Sequence, residues 1–208
     1  AGDPKWERLL QPPGAPTSGA APPAAGAPEP DEGRAPIVHL QRALDWAIRV
    51  NGDPASEHHG RIDTKNVGVM GTSCGGLQAI AMSTDPRVKT AIGFHTGVLL
   101  EPPPSAVANA DLVVGKDALA KINGPIAYIN GGPTDIAHPN ALDDLKHITH
   151  VPVFFGENGV GHGGTYLFDG HGGDYAKVAT AWFSWQLKGD AKAAQWFKGT
   201  NCTLCTMP

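Results

Sequence analysis

The segment Asn66 to Met82, NVGVMGTSCGGLQAIAM, changes its hydrophobic period halfway along. Val67, Val69 and Met70 form a short apolar run behind Lys65 and Asn66, the pattern of a buried parallel strand. Gly71-Thr72-Ser73-Cys74-Gly75 follows, with Gly76 next, and Leu77, Ile80, Ala81 and Met82 then recur at helical spacing. The sequence therefore predicts a strand, a tight turn and a helix in immediate succession, with Ser73 at the apex. Such a turn forces its central residue into strained backbone geometry, so the glycines are expected where neighbours leave no room for a Cβ. It lifts the Ser73 hydroxyl above the sheet and turns the amide N–H of Cys74, at the helix start, toward any negative charge that develops there.

Upstream, Pro, Ala and Gly dominate Ala1 to Arg34, and residues 1–35 read as a loop or linker in which only Trp6, Leu9 and Leu10 could dock. Pro36 to Val50 is predicted as an amphipathic helix with Leu40, Leu44, Ala47 and Ile48 inward, stopped by Asn51-Gly52. His58 and His59 lie in the polar segment that follows and read as solvated. Downstream, Val88 to Phe94 is a second strand, ending at His95 and Thr96. Pro102-Pro103-Pro104 marks a rigid loop, and Leu112 to Ile122 a short helix. Pro125 to Asn130 is a third strand that runs into Gly131-Gly132-Pro133-Thr134-Asp135. Asn140 to His147 is a helix with Leu142 and Leu145 inward and Asp143 and Asp144 in water. Val151 to Phe155 is a fourth strand, followed by the glycine-rich GENGVGHGGTY from Gly156 to Tyr166. A long amphipathic helix, Tyr175 to Leu187, carries Val178, Trp182, Phe183 and Trp185, and Ala191 to Phe197 continues it. Strands alternating with helices predict an α/β domain over residues 36–198, a mostly parallel sheet with helices on both faces and reactive groups at the carboxyl ends of its strands.

The composition fits one folded domain: 208 residues, 41% hydrophobic and 17% charged. A net charge of -4 argues against nucleic acid or an anionic membrane as partner. No apolar run approaches the ~20 residues that span a bilayer. Three cysteines are too few for a disulfide scaffold, and a single C-x-x-C, Cys202 and Cys205 in the tail 199–208, is weak for zinc. The pair is expected to be a disulfide, to each other or to a missing segment, with free thiols as the alternative. A disulfide implies an oxidising compartment, secreted or periplasmic.

From about Pro36 to Trp196 the chain resembles the second half of an α/β-hydrolase, and within that superfamily it is similar to the secreted dienelactone-hydrolase-like and cutinase or polyesterase-like branch. The motifs that carry the resemblance are the nucleophile elbow GTSCGG, the acid loop GGPTD and the base loop GVGHGG. It implies Ser73 as nucleophile, His162 as general base and then acid, Asp135 as the residue that orients His162, and the Cys74 N–H as an oxyanion donor. His171, in the similar string GHGG, is the rival base. Asp169 and Asp174 follow His162 and so break the family order. His147 and His150 flank a helix end and read as caps rather than metal ligands. His95 is expected either to line the acyl pocket or to be a satisfied histidine at a strand end. Dienelactone hydrolases carry cysteine at the nucleophile position, where this chain has Ser73; the Cys74 side chain reads as a small buried hydrophobe.

The activity implied is cleavage of small-molecule or polymeric carboxylic esters through an acyl-enzyme, with no cofactor and no metal. The alternatives are an inactive hydrolase fold used for binding, and acyl transfer by the same triad. The sequence departs from the family at the front, where no HGGG-like loop precedes Ser73. The expectation is that the chain lacks an N-terminal segment of the native protein, which would pair with the nucleophile strand and add a second oxyanion N–H worth roughly 2.7–4 kcal/mol in the barrier.

Overall fold

Strands buried on both faces must be covered by two layers of helix, and the hydrophobic runs of this chain supply both. The computed structural model describes residues 37–101, 114–165 and 169–207. Strands β1 (Val67–Thr72), β2 (Val88–Phe94), β3 (Ile126–Asn130) and β4 (Val153–Glu157) form one sheet in the order β1-β2-β3-β4. Every neighbouring pair is parallel. Helices α1 (Ile37–Gly52), α2 (Cys74–Met82), α3 (His138–His147), α4 (Gly173–Lys188), α5 (Ala191–Ala194) and α6 (Thr203–Thr206) surround it, with 3-10 turns at Lys116–Lys121 and Gly170–Gly172.

The two-residue pleat sends alternate strand side chains to opposite faces. Ile92, Phe94, Ala127 and Ile129 meet Tyr175, Val178 and Trp182 of α4, with Phe197 behind them. Ala91, Ile126 and Tyr128 meet Ile80 of α2 and Ala141 of α3 on the other side. The indole N–H of Trp182 donates to Thr90 Oγ1 at 2.7 Å, so the largest core side chain also pins α4 to β2. Among the described residues β1 pairs on one side only, and Met70 is half exposed. No helix among them is long and apolar enough to cross a membrane.

Several expected details change. Leu40 and Leu142 are exposed rather than inward. The predicted helix at Leu112 to Ile122 is the 3-10 turn Lys116–Lys121, and Leu112 itself lies outside the described residues, as do residues 1–35 with Trp6, Leu9 and Leu10 and the prolines 102–104. The tail is packed: Cys202 is buried and disulfide-bonded to Cys205, while the Thr203 and Leu204 N–H groups donate to Gln195 O and Trp196 O.

Asp144 is buried, not solvated. Its carboxylate accepts the Val98 N–H at 2.8 Å, the Tyr128 hydroxyl at 3.0 Å and the Lys116 ammonium at 2.6 Å. Burial pushes its carboxyl up, against the pull of Lys116 and the Val98 amide. One helix side chain thereby fixes the segment after β2, the middle of β3 and the turn between them. Asp144→Ala would strand the buried Val98 N–H and Tyr128 hydroxyl, while Lys116 keeps Asp143 at 2.8 Å, so it is expected to cost about 3 kcal/mol. That corresponds to roughly 6–12 °C in thermal melts. Asp117→Ala, which removes the exposed pair with Lys121, is expected to leave the thermal melt almost unmoved.

Candidate active site

Ser73 lies between the last residue of β1 and the first of α2 with φ 53° and ψ −119°, a region that side chains other than glycine rarely occupy. The strain is held from three sides. The Ser73 N–H donates to Phe94 O at 2.9 Å, and Ser73 O accepts the Gly76 N–H at 2.9 Å and the Thr96 hydroxyl at 3.0 Å. A Cβ on Gly71 would fall 2.1 Å from Gly75 O, and one on Gly76 would fall 2.5 Å from the Thr96 Cβ. Gly75 has open space within 4 Å. The crowded positions are therefore Gly71 and Gly76, not the second glycine of G-x-S-x-G. Cys74 opens α2, so its N–H has no carbonyl of the helix to bond and is available to an anion. Its side chain is exposed rather than buried.

Asp135 and His162 come from loops beyond β3 and β4. The loops are laced together by the Gly161 N–H donating to Gly131 O at 2.9 Å. Ser73 Oγ is 3.0 Å from His162 Nε2, and His162 Nδ1 is 2.7 Å from Asp135 Oδ1. With Nδ1–H donating to the carboxylate, Nε2 is left to accept the serine proton. Asp135 is buried. Burial alone would raise its carboxyl, but the Gly131 and Ala137 N–H groups, His162 and His95 outweigh it and hold the pKa at about 2.

The structure places Ser73, His162 and Asp135 within hydrogen-bond distance of one another in turn, and His95 beside the same carboxylate. The His95 ring is buried, with Nδ1 2.7 Å from Asp135 Oδ2. His171, the rival base, is exposed in the turn before α4. His147 pairs with Asp143 at 3.4 Å, and the His150 ring N–H donates to Ile122 O at 2.9 Å. A contact that sequence reasoning missed joins His138 to Glu157 at 2.6 Å, tying α3 to the end of β4. His95, Asp135 and His162 are close enough together to be weighed as metal donors, but both Nδ1 atoms are already bonded to the carboxylate.

No protein-family model and no curated protein matches the chain. Solved structures do. A puromycin-hydrolysing peptidase of Mycobacterium tuberculosis superposes with TM-score 0.52 at 14% identity, over 73% of this chain and 25% of that one. The esterase domain of a Rhodothermus marinus protein gives 0.51 at 17%, over 76% and 71%. A Lactobacillus plantarum protein described as a carboxylesterase gives 0.51 at 15%, over 72% and 66%. The chain thus spans a quarter of the peptidase's length and about two thirds of the other two. At these identities the likeness is one of fold, and the fold is that of the α/β-hydrolases.

The steric reading of the turn gives opposite signs at its two glycines. Gly75→Ala is expected to leave stability unchanged or raise it by up to about 1 kcal/mol, since alanine suits a helix better than glycine. Gly71→Ala is expected to cost about 2 kcal/mol or more, because the obstacle is backbone; urea unfolding of both variants measures the difference. Asp135 sets an acid limit. Its folded pKa lies below the unfolded value, so its contribution of about 2 kcal/mol is complete above about pH 4 and lost as pH falls toward 2. The stability gap between wild type and Asp135→Asn is expected to close over that interval.

Proposed function

We propose that this chain is a serine hydrolase acting on carboxylic esters. The observation that carries the reading is the continuous line from the strained Ser73 hydroxyl, through His162, to the buried Asp135 carboxylate. As His162 Nε2 takes the hydroxyl proton, Ser73 Oγ bonds to the ester carbonyl carbon and the carbonyl oxygen becomes an oxyanion beside the Cys74 N–H. Collapse breaks the bond to the alcohol oxygen, which receives the proton from His162. Water then repeats the sequence on the acyl-enzyme, giving up a proton to His162 and releasing the acid. Asp135 keeps Nδ1–H in place and stabilises the charged imidazole without taking its proton.

The motifs GTSCGG, GGPTD and GVGHGG support a place near the dienelactone-hydrolase-like or cutinase-like branch, with small or polymeric esters as substrates. The Cys202–Cys205 bond supports a secreted or periplasmic setting. The side of β1 that is unpaired among the described residues supports a further segment of the native protein that pairs there and adds an oxyanion donor.

Turnover of a p-nitrophenyl ester series is expected, alongside labelling of Ser73 by a fluorophosphonate. Ser73→Ala and His162→Ala should each lower kcat by about 10⁴-fold or more. Undiminished turnover in Ser73→Ala would refute the assignment. Absence of both turnover and labelling in the wild type would point to a binding protein, product formation on added alcohols to acyl transfer, and cleavage of anilides alone to a peptidase.

A further inference from the structure

The end of β2 carries an unusual concentration of cost. His95 is a non-glycine residue at φ 46°, its ring is wholly buried, and its Nε2 has no hydrogen-bond partner among the described residues. A strained backbone and an unpaired buried nitrogen both work against folding. What the ring receives in return is one short bond, from Nδ1–H to Asp135 Oδ2 at 2.7 Å. Neutral imidazole protonated on Nδ1 satisfies this arrangement, with only a lone pair left unmet at Nε2.

The four bonds to Asp135 divide evenly. Oδ1 accepts from Ala137 N–H at 2.9 Å and from His162, while Oδ2 accepts from Gly131 N–H at 3.0 Å and from His95. Without His95, Oδ2 keeps a single bond, and the carboxylate is freer to rotate and carry Oδ1 away from His162. The same ring supports the base loop. It stacks on Tyr175 at 5.0 Å and meets the His162 ring edge-on at 5.7 Å. Gly164, two residues beyond His162, lies so close that a Cβ there would be 2.2 Å from His95 Nε2.

We propose that His95 is a positioning residue of the hydrolytic site, locking the Asp135 carboxylate through its second oxygen and bracing the loop that carries His162. The inference rests on the serine-hydrolase reading for its kinetic test and on the hydrogen bond alone for its spectroscopic one. His95→Asn places an amide N–H where Nδ1–H lies; His95→Phe keeps the ring and removes the donor. With a p-nitrophenyl ester, His95→Phe is expected to lower kcat by roughly 10- to 100-fold with KM within about twofold. His95→Asn is expected to recover at least about a third of the wild-type kcat, because the bond is restored. Gly164→Ala, which presses a methyl group onto the His95 ring from a backbone at φ 57°, is expected to lower kcat while leaving both histidines in the sequence.

Proton NMR of histidine-¹⁵N-labelled protein supplies the second readout. Two low-field ring N–H resonances are expected in the wild type. His95→Asn should remove one and leave the other in place, whereas His95→Phe should remove one and shift or broaden the other. Equal losses of kcat in folded His95→Asn and His95→Phe would overturn the proposal. So would a His162 resonance unmoved in His95→Phe, or, if that variant does not fold, unmoved in Gly164→Ala. Loss of activity on chelation, restored by zinc, would also overturn it by making the ring a metal ligand. A wild type without esterase activity would refute the proposed function, while the NMR comparison would still decide whether His95 holds the carboxylate.

Discussion

A buried carboxylate without a neighbouring lysine or arginine stays charged only if its oxygens are well supplied with donors. Asp135 has four, two from its own loop's backbone and two from histidines that arrive on different strands. The rest of the site follows from that charge. It fixes which nitrogen of His162 carries the proton, and hence leaves the other one free to face Ser73. The backbone N–H groups bend the acid loop around the carboxylate, so loop geometry and electrostatics are a single constraint.

The sheet turns this constraint into a location. All four strands run the same way, and each delivers one residue at its carboxyl end. Ser73 and His95 follow directly on β1 and β2, and Asp135 and His162 lie five residues beyond β3 and β4. The two short connections hold the strained backbones, at φ 53° and 46°, where pairing with adjacent segments can enforce them. The two longer ones need glycine, because they must approach each other and the His95 ring closely.

Much of this could be read from the sequence. The runs at β1 to β4, the period change at Ser73 and the glycine-rich segments after β3 and β4 are local patterns, and local patterns report local structure. What escaped depends on partners far along the chain. Asp144 looks like an exposed helix residue until Val98, Tyr128 and Lys116 converge on it. Leu40 and Leu142 lie on plausible inner faces, but a periodic face buries a residue only where another layer covers it. Cys74 reads as a small buried hydrophobe from its residue type, yet as the first residue of α2 it is exposed. His95 is 40 residues from Asp135, and nothing in its surroundings, GFHTG, names that partner.

The lacing of the acid and base loops, Gly161 N–H to Gly131 O with Gly164 against the ring at the end of β2, has a bearing on protein engineering. These segments behave as one transplantable block rather than as interchangeable parts. A chimera that imports a foreign base loop would inherit a mismatch at both seams. Successful recombination would keep its crossovers outside the stretch from the end of β2 to the start of α4.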